Sequence, residues 1–168
     1  MWRHREPSAI IPPMSDRRTL LIVHHTPSPA TQEMFEAVID GARTDEIEDV
    51  DVVVRPALTA SPVDVLAADG YLLGTPVNLG YISGALKHFF DGIYYPCLEA
   101  TRGRPYAAYL HGNNDATGAV RALESITTGL DWRAVRPPLV VTGGAPSRED
   151  VESCWELGAT VAAGLMPG

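Results

Sequence analysis

Gly74-Thr-Pro-Val-Asn-Leu-Gly-Tyr-Ile-Ser-Gly-Ala-Leu-Lys-His-Phe-Phe-Asp91 passes from the end of a strand, through a polar turn, into an amphipathic helix. The residues before it, Asp69 to Leu73, are short and apolar enough for a buried strand, and Gly74 to Ser83 carries the Gly, Pro and Asn that make turns. Ile82, Leu86, Phe89, Phe90 and Ile93 then recur at the spacing of one helical face, with Ser83 suited to the N-cap. In an open parallel sheet, ligands bind at the carboxyl ends of strands, so this loop is a candidate site by position alone.

The same alternation extends to both sides. Upstream, Thr19-Leu-Leu-Ile-Val-His24 reads as a strand, and Met34, Phe35, Val38, Ile39 and Ala42 form the apolar face of the helix after it. Val50 to Val54 is a second strand, and Ser61-Pro62 opens a short helix with Ser61 as N-cap. Downstream, Pro105 to His111 is a fourth strand, followed by a polar loop and a helix over Ala119, Val120, Leu123, Ile126 and Leu130. Pro138 to Thr142 is the fifth strand, Gly143-Gly144 turns the chain, and Ser147 to Asp150 reads as a capping box. The last helix carries Val151, Cys154, Trp155, Gly158, Val161, Ala162 and Leu165 on one stripe. Five strands alternating with five helices require right-handed crossovers and a parallel sheet covered on both faces, a three-layer α/β/α sandwich.

At 168 residues the chain suits one domain, read as 18–168, behind a loose tail over residues 1 to 17. A start at Met14, immediately before the first strand, would give a tidier protein. The net charge of −8, with Lys87 the only lysine, argues against a nucleic-acid partner. No apolar run approaches the length of a membrane span, and Ala9-Ile10-Ile11 is too short for a signal-peptide core. Cys97 and Cys154 are too few and too far apart for a zinc ribbon or a C-x-x-C pair, so a reduced, cytoplasmic protein is the simplest reading. Cys154 falls on the buried stripe; Cys97, after Tyr94-Tyr95-Pro96, reads as a loop thiol open to reaction.

Gly74-Thr75-Pro76, Asn78, Gly80 and Ser83, followed by Lys87, Phe89 or Phe90, and Asp91, resemble the flavin loop and following helix of the flavodoxin-like superfamily. The nearer likeness is to its FMN-dependent NAD(P)H and quinone reductases, which carry G-T-P-x-x-x-G-x-x-S and then K-x-F-x-D. The resemblance implies a five-stranded parallel sheet of order 2-1-3-4-5, the order of flavodoxin itself. It also implies FMN as cofactor, with Thr75, Pro76, Val77, Asn78, Leu79, Gly80 and Tyr81 around the isoalloxazine ring and His111, Gly112, Asn113, Asn114 and Asp115 approaching from the fourth strand. Leu79 and Tyr81 are the expected face contacts.

Thr26-Pro27-Ser28-Pro29-Ala30-Thr31 is similar to that family's T-x-T-G-x-T phosphate loop, keeping hydroxyls at 26, 28 and 31. A helix start suits a phosphate without any family, because it presents free N–H groups and the positive end of the helix dipole. Pro29 stands where the family has glycine and Pro27 is a second proline, so two amide donors are missing. With Ser28 as N-cap and Pro29 at the first helical position, the amides of Ser28, Ala30, Thr31 and Gln32 are expected to remain for a phosphate. No Arg or Lys lies between Arg18 and Arg43.

The loop at 112 to 118 contains no aromatic residue, which leaves a bound ring one bare face unless Tyr94 or Tyr95 covers it. A bare face admits a nicotinamide or quinone in the close contact hydride transfer needs. The expected activity is therefore transfer of electrons from NAD(P)H, through FMN, to a quinone, free flavin or similar small acceptor, with no catalytic side chain and no metal ligand. The likeness extends to a homodimer, common among such reductases. Two other readings stand beside it: a one-electron carrier of flavodoxin type, suggested by the acidic composition, and a binding protein of this fold that has lost the cofactor, suggested by Pro27 and Pro29. G-x-G-x-x-G and the Walker phosphate loop are both missing, and Gly80 to Gly84 does not match G-x-S-x-G. His24 and His25, adjacent on a strand end, point to opposite faces and cannot share a metal there.

Overall fold

Leu20, Leu21, Ile22 and Val23 are all buried, the near-continuous apolar run of a strand covered on both faces. Alternation divides them: Leu21 and Val23 join the core beneath one helical layer, and Leu20 and Ile22 the core beneath the other. The computed structural model describes residues 16–168. Within the tail read over residues 1 to 17, positions 1–15, and with them the choice between Met1 and Met14, lie outside the described residues; Arg17 forms ion pairs with Asp49 and Asp51.

In chain order the elements are β1 (Arg18–His24), α1 (Pro29–Ala42), β2 (Val50–Pro56), α2 (Pro62–Ala67), β3 (Gly70–Asn78), β4 (Tyr81–Ile82), α3 (Gly84–Cys97), β5 (Pro105–Gly112), α4 (Thr117–Gly129), β6 (Arg133–Ala134), β7 (Leu139–Thr142) and α5 (Arg148–Leu165). β2, β1, β3 and β5 pair side by side in parallel, and β6 and β7 share the outer edge of β5. With the two-residue strands β4 and β6 set aside, the five long strands run in the expected order 2-1-3-4-5. Among the described residues no helix is long and apolar enough to cross a membrane.

Helices α1 and α5 cover one face of the sheet, and α2, α3 and α4 pack on the other. The first pair sits unusually close: a Cβ on Gly41 would lie 1.9 Å from the Trp155 carbonyl oxygen, and one on Gly158 would lie 2.0 Å from that of Val38. Ser147 caps α5 with the reciprocal bonds expected, Ser61 caps α2 and adds the same reciprocal bond from Asp64, and Ser83 caps α3.

Four features depart from the sequence reading. The run 74–83 is not a loop throughout: β3 continues to Asn78, and a hairpin returns through β4. Cys97 is no loop thiol; α3 carries through Pro96, and Cys97 is its last residue, wholly buried, with burial pushing its pKa up. Proline, ordinarily a helix stop, is tolerated here in the final turn. On α5, Trp155 is exposed and Leu157 takes its place in the core. Finally, β6 was not foreseen, being too short for a periodic signal.

Candidate functional site

His24, Gly74, Tyr109 and Leu139 stand opposite one another across β1, β3, β5 and β7; β1 ends at this level, and the other three strands run on together to Asn78, Gly112 and Thr142. The turns that come after them share a cleft of about 410 Å³, lined by Pro27–Ala30, Pro76–Asn78, His111–Asn113 and Gly143–Ala145. Segments far apart in the chain thus meet at the topological switch between β1 and β3, the place where open sheets bind ligands.

The turn after β1 is bonded to itself. Ser28 caps α1 by accepting the Thr31 amide on Oγ at 3.2 Å, and Thr31 Oγ1 accepts the Ser28 amide at 3.1 Å. Thr31 Oγ1 also donates to the Ser28 carbonyl at 3.0 Å and lies 2.9 Å from Ser28 Oγ, so each hydroxyl proton has an acceptor inside the turn. The Gln32 amide donates to the same carbonyl. Of the amides expected to remain open, only that of Ala30 does, joined by that of Thr26. Thr26 Oγ1 is 2.7 Å from His24 Nδ1. The His24 ring stacks on Phe35 with centroids 4.0 Å apart, and burial first, the neighbouring His25 charge second, hold its pKa below the usual histidine value. His25 Nδ1 is buried without a hydrogen-bond partner.

The hairpin after β3 is built differently. Thr75, buried, accepts the Ser83 amide on Oγ1 at 3.1 Å and donates to the Pro76 carbonyl, closing the base. Asn78 pairs with Tyr81, leaving Leu79-Gly80 as a two-residue turn with φ of 51° and 75°. Two positive φ values mark a type I′ hairpin, which prefers Asn-Gly. Leucine in that conformation costs about 1–2 kcal/mol, yet its side chain is fully exposed at the tip.

The end of β5 and the start of α4, on either side of the next turn, pack against this hairpin. A Cβ on Gly112 would lie 2.8 Å from Val77 Cβ, and one on Gly118 would lie 2.3 Å from the Gly80 carbonyl oxygen. Side chains at either position would force the two turns apart. His111 Nε2 lies 2.9 Å from the Gly144 carbonyl oxygen and ties the turn after β7 to the same rim. Asp115 Oδ1 accepts the Thr117 amide and hydroxyl at the start of α4, and those bonds hold its carboxyl below the usual range. A second cavity of about 550 Å³ opens beside this turn, lined by Asn114–Thr117 with Arg121 and Glu124 of α4 and Val140 and Thr142 of β7.

Of the residues predicted for the site, Pro27, Ser28, Pro29, Ala30, Pro76, Val77, Asn78, His111, Gly112 and Asn113 line the first cleft. Thr26, Thr31 and Thr75 are instead bonded behind it, Leu79, Gly80 and Tyr81 form the tip and return of the hairpin, and Asn114 and Asp115 face the second cavity. Gly143, Gly144 and Ala145 were missed. Their signal was present, since β1, β3 and β5 each contribute their carboxyl turn to the same rim. Tyr94 lies at the far end of α4, where a Cβ on Gly129 would meet its hydroxyl, and so does not cover the cleft.

Comparison with known proteins bears on this rim. The model of a family described as NADPH-dependent FMN reductase matches residues 30–146. The chain is 30% identical over 158 residues to a flavodoxin of Aquifex aeolicus, covering 85% of this chain and 84% of that protein. Among solved structures, a flavodoxin, WrbA-like protein from Agrobacterium tumefaciens superposes with a TM-score of 0.72 at 20% identity, covering 88% of this chain and 97% of that one. Oxidised Flavodoxin 2 from Bacillus cereus gives 0.69 at 23% identity, with 87% and 98% covered.

Proposed function

Since this chain belongs to the NADPH-dependent FMN reductase family and is an FMN-binding flavoprotein of the oxidoreductase class, we propose that it holds FMN at the rim formed by the turns after β1, β3 and β5. In this reading it passes electrons from NAD(P)H to a quinone, free flavin or similar small acceptor. The bound flavin supplies the redox chemistry, taking up a hydride and giving up electrons.

The protein's part is binding and orientation. Pro76, Val77 and Asn78 offer backbone and one amide side chain on the hairpin side of the cleft; Gly112 and Asn113 offer the same on the other. Glycine at 112 lets the two turns close on each other, which gives a flat ring rigid walls whose main-chain amides stabilise charge gathered on reduction. Leu79 and Tyr81 shield one face from water. Pro27 to Ala30 stand at the far end, toward the flavin's ribityl and phosphate chain.

The observation that carries the reductase reading is the bare side of the rim. The turn at 112–117 has no aromatic residue, Tyr94 is at the far end of α4, and the second cavity opens directly beside Asn114. A second planar molecule therefore has access in the close, aligned contact that hydride transfer needs. Mixing flavin-loaded protein with NADPH without oxygen is expected to bleach the visible flavin absorption within seconds, and added quinone to restore it. Colour that persists with NADPH but is lost to a strong chemical reductant would show a one-electron carrier instead.

A further inference from the structure

The turn between β1 and α1 has the outline of a phosphate site and the bonding of a helix cap. The hydroxyl protons of Ser28 and Thr31 already have acceptors within the turn, and the amides of Ser28, Thr31 and Gln32 already donate to Thr31 Oγ1, Ser28 Oγ and the Ser28 carbonyl respectively. Pro27 and Pro29 have no amide to give. Thr31, the third residue of α1, is only 2% exposed. What remains for a dianion is the pair of amides on Thr26 and Ala30, with no lysine or arginine lining the cleft.

From this we infer that the chain grips its flavin mainly by the ring and only weakly by the phosphate, so that riboflavin binds within about a hundredfold of FMN. The inference rests on the flavin reading above and widens its ligand class from FMN to flavins carrying a ribityl chain, phosphorylated or not. A dianion that takes the Ser28 or Thr31 hydroxyl proton takes it from a bond already made inside the turn, so the gain from the new charge-assisted bond is offset in part by the loss of the old one. A full cradle of such bonds, each worth about tenfold or more, would separate FMN from riboflavin by at least a thousandfold.

The test is a pair of titrations of the flavin-free full chain, with FMN and with riboflavin, monitored by quenching of flavin fluorescence. The two dissociation constants are expected to fall within about a hundredfold of each other, whereas a wider preference for FMN would overturn the inference and leave the flavin reading intact. Binding of neither flavin would overturn both. Ser28→Ala supplies an independent reading. It is expected to lower the thermal midpoint and to change both affinities by the same factor; a selective loss of FMN would show Ser28 on the phosphate and defeat the inference.

Discussion

The turn at residues 24–32 and the hairpin at 74–83 leave neighbouring strands of one sheet and end on the same cleft, yet they use their polar groups in opposite ways. In the first, every serine and threonine hydroxyl is bonded within the turn or to His24, and two prolines stiffen the entry. In the second, Thr75 and Ser83 are tied down at the base, while the tip holds a leucine in a left-handed conformation, exposed to solvent. The first turn satisfies its hydroxyls without a ligand, and the second keeps strain and an exposed apolar side chain at its tip. Strain at a non-glycine residue on a rim, together with exposed apolar surface, points to the end where a ligand is held.

That contrast is broken most directly at Gly118. Gly118→Val sets a branched side chain 2.3 Å from the Gly80 carbonyl oxygen, where backbone must move. Overpacking of this kind costs about 1–3 kcal/mol, and urea denaturation should show a loss in that range. The displaced hairpin should also cost flavin affinity at least tenfold, on the order of 1.4 kcal/mol. Retained affinity would mean that the hairpin does not frame the ring.

Leu79→Asn sharpens the comparison with a smaller effect of opposite sign. Asparagine accepts positive φ, so the type I′ turn is relieved and stability should rise by about 1 kcal/mol. Flavin affinity is expected to fall as the apolar cover is lost. A variant that is both more stable and equally tight would show that the strain at 79 serves no ligand.

The smallest effect belongs to the first turn and to pH. His24 titrates below its usual 6.5 in the folded chain because burial, and then the charge of His25, oppose the imidazolium. The unfolded chain therefore binds more protons once the pH falls beneath that value, and stability drops until the lowered folded value is passed. The thermal midpoint should be flat above neutrality and decline on acidification toward pH 5, and His24→Asn should lessen the decline. An unchanged profile in the variant would assign the acid sensitivity elsewhere.

Much of this architecture was legible in the chain. The five strands and the caps at Ser28, Ser61, Ser83 and Ser147 arise from local rules, because a cap or an alternation needs only residues a few positions apart. The hairpin was not legible: Leu79-Gly80 lacks the asparagine that announces a type I′ turn, and Pro76 argues against a strand that in fact runs past it. Cys97 was misread for a related reason, since Pro96 looks like a helix stop but is held in the last turn of α3 by the burial of Cys97 itself.

Periodicity and turn chemistry, read along 168 residues, were enough to determine that a parallel sheet would form and that turns from several strands would gather at its carboxyl rim. Which hydroxyls and amides at that rim stay open was decided only in three dimensions. The reason is one of geometry: a hydrogen-bonding group has a fixed number of protons and lone pairs, and whether Ser28 or Thr31 meets a neighbour or a ligand depends on where the folded backbone has already placed its partners.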